Sequence, residues 1–417
     1  MPEAPTPRGR RALLLAIIFT LLIAAVMVAK IRQHDMKDAE VWWNAGRIVL
    51  AGESMVGIRN YRYPPAFAVI VSPLTAAPLP VFAFIWYAIN VGLFAVSLRL
   101  AAQLVEPGSR WSDLPRYWLP VLLVAIFAVD NLFLGQTNIL VTALIYWTLR
   151  ELSRNREWLA GVPLAGAIAV KVFPAPLLAY LAFRLRVVAV VSTLLACLVF
   201  MLLVPAPVRG FGRNYDETRA WWQRVVEPYL SRGKAGDWGQ HALDFGNQSL
   251  QAVAHRYLTR VNAYVTARDP KRQLYVNFAD LPPQQVNRVV LALFALLAAS
   301  FLAACGLRRP TDPLQQATEY SLAVILVLLV SALSWTYFFV MLLLPIATGL
   351  ELLRRRARLR AASAWVVIAG IAACALSGPL LVNALARALG HLFWATMILY
   401  LGLAMACWDL RKHQPPT

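Results

Sequence analysis

Charge is scarce in this sequence. Of its 417 residues only 15% are Asp, Glu, Lys or Arg, against about 25% in an ordinary soluble protein. A soluble chain of this length would hold two or three domains, and there is too little polar material here to cover them. Acidic residues are the scarcer sign, with 21 Asp and Glu against 40 Lys and Arg and a formal charge of +19. The four cysteines (Cys197, Cys305, Cys374, Cys407) all fall in apolar runs, which excludes a disulfide scaffold and a cysteine metal cluster. The five histidines are scattered, so no metal site is indicated. Phosphate loops, dinucleotide fingerprints and HExxH motifs are missing, and no cofactor is expected. No internal repeat is evident.

What is present is apolar: 59% of the residues are hydrophobic and the mean hydropathy is +0.58. Runs of roughly 18 or more apolar residues, each long enough for a ~30 Å hydrocarbon core, recur from Leu13 to Trp408. They exclude a soluble globular enzyme and a disordered chain. They are continuous rather than alternating, which excludes a β-barrel. The composition predicts an all-α polytopic membrane protein. Segments at about 11–30, 65–79, 81–104, 118–133, 136–149, 158–183, 185–205, 287–306, 317–333, 335–352, 362–384 and 389–409 give about twelve transmembrane helices.

The basic excess then reflects retention of Lys and Arg on the cytoplasmic side, and nucleic acid is not an expected partner. Lys30-Ile31-Arg32 stands where a signal peptidase site would follow the first segment, so that segment is expected to be retained. Arg8/Arg10/Arg11, Arg184/Arg186, Arg308/Arg309, the run Arg354–Arg360 and Arg411/Lys412 are placed inside. That puts residues 31–63 and 206–285 outside and both termini in the cytoplasm of an inner (plasma) membrane protein. The same count puts Arg150–Glu157 outside despite its three arginines, unless 65–79 or 158–183 is re-entrant. Residues 1–285 read as a catalytic membrane module carrying the two outer loops, and 286–417 as a C-terminal helical module. Many transporters are built from repeated halves. Here the polar residues crowd into the first 285 positions, which favours an enzyme at the outer face.

Three stretches could carry chemistry. In the first outer loop Asp38 and Trp42 are four apart and share a helix face, a carboxylate beside an aromatic at the mouth of a membrane cavity. The plainer account is a solvated interfacial helix. Arg59, Arg62 and Tyr63 precede Pro64-Pro65 and fit either interface snorkelling or recognition of an anionic headgroup. Inside the membrane, Asp130-Asn131 and Gly135-Gln136-Thr137-Asn138 interrupt a long apolar stretch, and Lys171 is a lone cation in another. Such groups must face a cavity or each other. Lys171 needs a partner, either an internal carboxylate such as Asp130 or an external phosphate.

The ordered set Asp38-x-x-x-Trp42-Trp43-x-Ala45, Gly52, Tyr63-Pro64-Pro65, Gly135-Gln136-Thr137-Asn138, Lys171-Val172-Phe173-Pro174, Asn247-Gln248-Ser249-Leu250 and Ser334-Trp335 resembles glycosyltransferase family 87, over about residues 12–350. The resemblance implies a C-type membrane glycosyltransferase fold. It implies a polyprenyl-phosphate sugar donor, mannose by family habit, and a lipid or glycan acceptor. It implies inverting displacement at the outer face with Asp38 as the base. Trp42, Arg59, Arg62, Tyr63, Gln136, Asn138, Lys171, Asn247, Gln248, Trp335 and Tyr337 become the expected donor and acceptor contacts. One position departs from the pattern: Tyr337 stands where the family has histidine. The alternatives are a C-type transferase for another lipid-linked sugar, a lipid-linked sugar flippase or transporter, and a glycolipid-binding scaffold that has lost catalysis.

Overall fold

The protein is described here from a computed structural model, which covers residues 37–58, 60–232, 241–265, 272–355 and 359–412. The first expected span, 11–30, and Arg59 lie outside these residues. The fold is helical, with no strand among the described residues. The principal helices are α1 (Lys37–Leu50), α2 (Pro65–Thr75), α3 (Leu79–Val105), α4 (Trp118–Leu134), α5 (Asn138–Ser153), α6 (Glu157–Val170), α7 (Leu177–Phe183), α8 (Val187–Leu198), α9 (Phe211–Trp221), α10 (Leu250–Leu258), α11 (Pro283–Cys305), α12 (Pro313–Val330), α13 (Leu343–Arg354), α14 (Ala361–Leu380) and α15 (His391–Lys412).

Their ends follow local rules. Prolines open α2, α3, α11 and α12, where the missing N–H costs nothing. Asp38 and Glu40 sit in the first turn of α1 and Arg47 in its last, matching the helix dipole. α4 stops at Gly135 in the left-handed region (φ 65°). α6 stops at Lys171, which is extended (φ −147°, ψ 135°) as the chain approaches Pro174.

Eight helical stretches are long and apolar enough to cross a membrane: Leu79–Val105, Trp111–Leu134, Val187–Arg209, Pro283–Cys305, Pro313–Val330, Thr336–Arg354, Ala361–Leu380 and His391–Lys412. The count of about twelve is not reproduced among the described residues. The segments expected at 65–79, 136–149 and 158–183 fall on α2, α5, α6 and α7, which have 11, 16, 14 and 7 residues. At 1.5 Å per residue each falls short of a ~30 Å core. The cause in 158–183 is the Lys171–Pro174 break.

The chain divides into two compact units. Unit 1 holds residues up to Val172 together with Val191–Trp221, and unit 2 holds Phe173–Val190 and Trp222 onward. In unit 1, α1 packs on α2, α3 on α5 and α5 on α6. Its centre is an aromatic cluster of Trp42, Tyr63, Phe67, Phe82 and Trp86. In unit 2, α14 and α15 approach closely because a Cβ on Gly370 would meet the Leu399 backbone at 2.5 Å, and one on Gly402 the Val367 backbone at 2.7 Å. Small residues at such crossings let membrane helices pack. Unit 2 also contains a buried ion pair that composition did not reveal. Arg184 pairs with Glu319, which also accepts from the Tyr180 hydroxyl at 2.7 Å.

Candidate active site

The polar centre of unit 1 is assembled by a turn. A Cβ on Gly135 would lie 2.7 Å from the Ala39 Cβ, so glycine serves there twice, for its left-handed φ and for close approach to α1. Trp86 Nε1 donates to the Gly135 carbonyl at 2.9 Å, and the Gln136 N–H donates to the Asn131 carbonyl at 2.8 Å. With its amide oriented to satisfy both neighbours, Asn131 donates to the Gln136 carbonyl and accepts from the Asn138 N–H, each at 3.1 Å. The turn is fixed from three sides, and it delivers Gln136 to the residue preceding Ala39.

That residue is Asp38. Gln136 Nε2 donates to Asp38 Oδ2 at 2.7 Å. Gln136 Oε1 accepts from Lys171 Nζ at 3.0 Å and from the Tyr63 hydroxyl at 3.2 Å. Lys171 Nζ also donates to Asn138 Oδ1 at 2.5 Å and lies 5.2 Å from the Tyr63 ring centroid. The Asp38 charge acts on Lys171. Two donors at the Gln136 oxygen leave its amide one sensible orientation, with the N–H group toward Asp38. Burial first, and then the Asp38 charge, push the Tyr63 hydroxyl well above its ordinary pKa. It therefore stays protonated and keeps donating.

Five expected site residues, Asp38, Tyr63, Gln136, Asn138 and Lys171, thus share one hydrogen-bonded network. Trp42 lies beside it. Its ring is only 1% exposed and packs edge-on to Tyr63 with centroids 5.0 Å apart. It forms a wall of the core beside the network, because α1 turns this face onto α2 and α3. Arg62 is half-buried, and its carbonyl accepts from Trp221 Nε1 at 3.0 Å.

Asn247, Gln248, Trp335 and Tyr337 belong to unit 2. Asn247 Oδ1 accepts from the Ser334 N–H at 2.8 Å and its Nδ2 donates to the Ala332 carbonyl at 3.0 Å. Gln248 Nε2 donates to the Phe245 and Arg387 carbonyls at 2.7 and 2.8 Å. Trp335 packs against Gly246, where a Cβ would meet its ring at 2.7 Å. Tyr337 is half-exposed beside Phe338, with centroids 5.3 Å apart.

Three positions escaped sequence reading. Asn131 was legible only as one polar residue among several. Arg209 and Glu217 form a buried ion pair that holds the segment after α1: Glu217 accepts from the Met55 N–H at 2.9 Å, and Arg209 donates to the Glu53 carbonyl at 2.6 Å. Their spacing of eight on an amphipathic stretch gave no distinctive signal. Among the described residues no three His, Cys, Asp or Glu side chains come together in a way that could hold a metal ion.

The network sets a carboxylate, an amide and an ammonium group side by side, as a transfer of a phosphate-borne group to a hydroxyl would require. Comparison with known proteins points the same way. The chain is similar to the polyprenol-phosphate-mannose-dependent alpha-(1-2)-phosphatidylinositol pentamannoside mannosyltransferase of Mycobacterium tuberculosis (strain CDC 1551 / Oshkosh), at 25% identity over 199 residues. That match covers 48% of this chain and 42% of the relative, so the chain spans less than half the relative's length. No solved structure matches. The model of glycosyltransferase family 87 matches residues 61–332, a stretch that contains Gln136, Asn138 and Lys171. It covers well over half of the sequence, and the protein belongs to glycosyltransferase family 87.

Proposed function

We propose that this membrane glycosyltransferase moves mannose from a polyprenyl-phosphate carrier to a lipid or glycan hydroxyl by inverting displacement, with Asp38 as general base. The observation that carries the reading is the contact of Gln136 with Asp38 on one side and Lys171 on the other. Asp38 takes the proton of the acceptor hydroxyl, whose oxygen attacks the anomeric carbon. The C–O bond to the carrier phosphate breaks and polyprenyl phosphate leaves. One base suffices for inversion, and the second carboxylate of a retaining enzyme is not needed. Phosphate is already a good leaving group, so a nearby cation such as Lys171 can meet its growing charge without a general acid. The donor class is the one the mycobacterial relative depends on. The reading places residues 31–63 and 206–285 outside a plasma membrane with both termini in the cytoplasm, where a lipid-carried donor replaces the nucleotide sugars that do not reach that face.

The test is incubation of purified protein with radiolabelled polyprenyl-phosphate-mannose and a host lipid extract, with GDP-mannose as the control donor. Transfer from the polyprenyl donor is expected, and Asp38→Asn should reduce it by about 10²–10⁴-fold with donor binding kept. Transfer from GDP-mannose instead, or an active Asp38→Asn protein, would overturn the assignment.

A further inference from the structure

Unit 1 has two chemically different ends, and three helices measure the distance between them. α5 begins at Asn138, which accepts from Lys171. It ends near Arg150, whose Nε donates to Gln103 Oε1 of α3 at 2.8 Å. α6 begins beside Arg156 and ends at Lys171. α3 touches Gly135 through Trp86 and reaches Gln103 seventeen residues later. At 1.5 Å per residue these paths give roughly 18–26 Å between the Asp38 network and the 105–117 and 150–157 loops. α5 and α6 are each shorter than a hydrocarbon core, but α3, with 27 residues, is long enough to cross one.

The far end is rich in arginine. Arg154 stands among Arg150, Arg156 and Arg99, and their mutual repulsion is partly relieved by Glu151. Glu151 is itself buried and pairs with Arg150 at 2.6 Å and Arg156 at 3.8 Å. The neighbouring loop adds Arg110 and Arg116, with Glu106 3.5 Å from Arg116 and Asp113 accepting from the Arg110 N–H. Around this cluster Trp111, Trp118 and Trp158 are each more than half exposed, and Arg99 lies over the Trp111 ring at 5.7 Å. Clustered arginines ringed by outward tryptophans at helix ends are what the headgroup level of a membrane selects.

We propose that the 105–117 and 150–157 loops form one arginine–tryptophan collar that binds the phosphates of anionic phospholipid headgroups, on the membrane face opposite the Asp38 end. The collar reverses the sidedness that counting twelve spans gives to Arg150–Glu157. The reversal follows from α2. This helix is 11 residues long, and its far end stays beside α1, with Thr75 against Gly46 and Trp43 Nε1 donating to the Ala77 carbonyl at 2.9 Å. α2 therefore returns to the face it left, and α3 makes the first crossing after the outer loop. Both arginine loops then reach the side on which positive residues are retained. The charges fit phosphate, since guanidinium offers bidentate donors. The proposal rests on the membrane reading of the helices and not on the chemistry assigned to Asp38.

The experiment has two arms, both on the full-length protein. In a background with the four native cysteines replaced by alanine, Ser54→Cys and Ser112→Cys are treated with an impermeant thiol reagent in right-side-out and inverted vesicles. Both positions are exposed, and they should label from opposite sides. In the second arm, native mass spectrometry follows phosphatidylglycerol retained from mixed phosphatidylcholine–phosphatidylglycerol micelles. Arg154→Gln with Arg156→Gln should lower retention by about fivefold per charge removed, while the paired Arg→Lys changes should keep most of it. Labelling of Ser54→Cys and Ser112→Cys from the same side overturns the proposal. So does phosphatidylglycerol retention that is unchanged in the glutamine variant, or that falls equally in the lysine variant.

Discussion

Gly135→Ala separates two effects that one substitution usually confounds. Position 135 is left-handed, with φ 65°, where an L side chain costs about 1–2 kcal/mol. The new methyl would also stand 2.7 Å from the Ala39 Cβ, against an ordinary carbon contact of about 3.5–4.0 Å. α1 must therefore move by roughly 1 Å, and overpacking of this kind adds about 1–3 kcal/mol. Gly52→Ala is the control: its φ is similar, 69°, but nothing lies within 4 Å of the added Cβ. Gly52→Ala should cost only the backbone strain and leave turnover intact. Gly135→Ala should cost about 2–5 kcal/mol in all. It should also slow transfer by about 100-fold, because the displaced residue adjoins Asp38 and misplacement by 1 Å is worth that much. Adding Ala39→Gly removes the struck methyl, so the double variant should regain turnover while keeping the strain. Thermal unfolding reads the first quantity and initial rates with labelled donor read the second. Full turnover in Gly135→Ala, or no rescue by Ala39→Gly, would refute the claim that this contact positions the carboxylate.

Lys171→Met should fold normally and lose about 10²–10³ in rate, as when one electrostatic donor is removed from an active site; unchanged initial rates would take the ammonium out of the site. Arg209→Met strands the buried Glu217 and should lower stability by about 3–5 kcal/mol. Most of that should return in Arg209→Met with Glu217→Gln, and calorimetry of the two variants decides. Tyr63→Phe removes one donor to Gln136 and should cost about 0.5–1.5 kcal/mol in the network. Burial raises the Tyr63 pKa, so its hydroxyl stays neutral as pH rises through the ordinary phenol range. The basic limb of the rate profile should then be the same in Tyr63→Phe as in the parent, and a shifted limb would show that Tyr63 ionises.

The helical class of the fold was legible because it rests on composition, and continuous apolar runs have few other readings. The number of crossings was less so. Hydropathy cannot tell a helix of 11 residues held beside α1 from one that passes through, and α2 looks apolar in both cases. Near Asp38 the polar interruptions Gly135–Asn138 and Lys171 announced themselves because polar groups at such depth must meet something. That they meet one another depends on contacts 33 to 98 residues apart. Spacing does not encode those contacts. Arg184 with Glu319 and Arg209 with Glu217 were hidden for the same reason, since each partner alone looks like an ordinary surface charge.

The partners chosen by the motif amides separate their jobs. Asn247 and Gln248 spend their side chains on backbone groups: the carbonyls of Ala242, Ala332, Phe245 and Arg387, and the N–H groups of Ser249, Ser334 and Leu392. Ser249 beside them caps α10 through the Ala252 N–H. An amide saturated by backbone fixes a chain path, and replacing it by alanine should cost stability before it costs chemistry. Gln136 and Asn138 point the other way, since their side-chain oxygens accept from Lys171 and the Gln136 nitrogen donates to Asp38. On the proposed function those contacts are made to the base and to the cation that meets the leaving phosphate. Asn247 and Gln248 thus hold backbone in unit 2, and Gln136, Asn138 and Lys171 are the residues joined to the proposed base in unit 1.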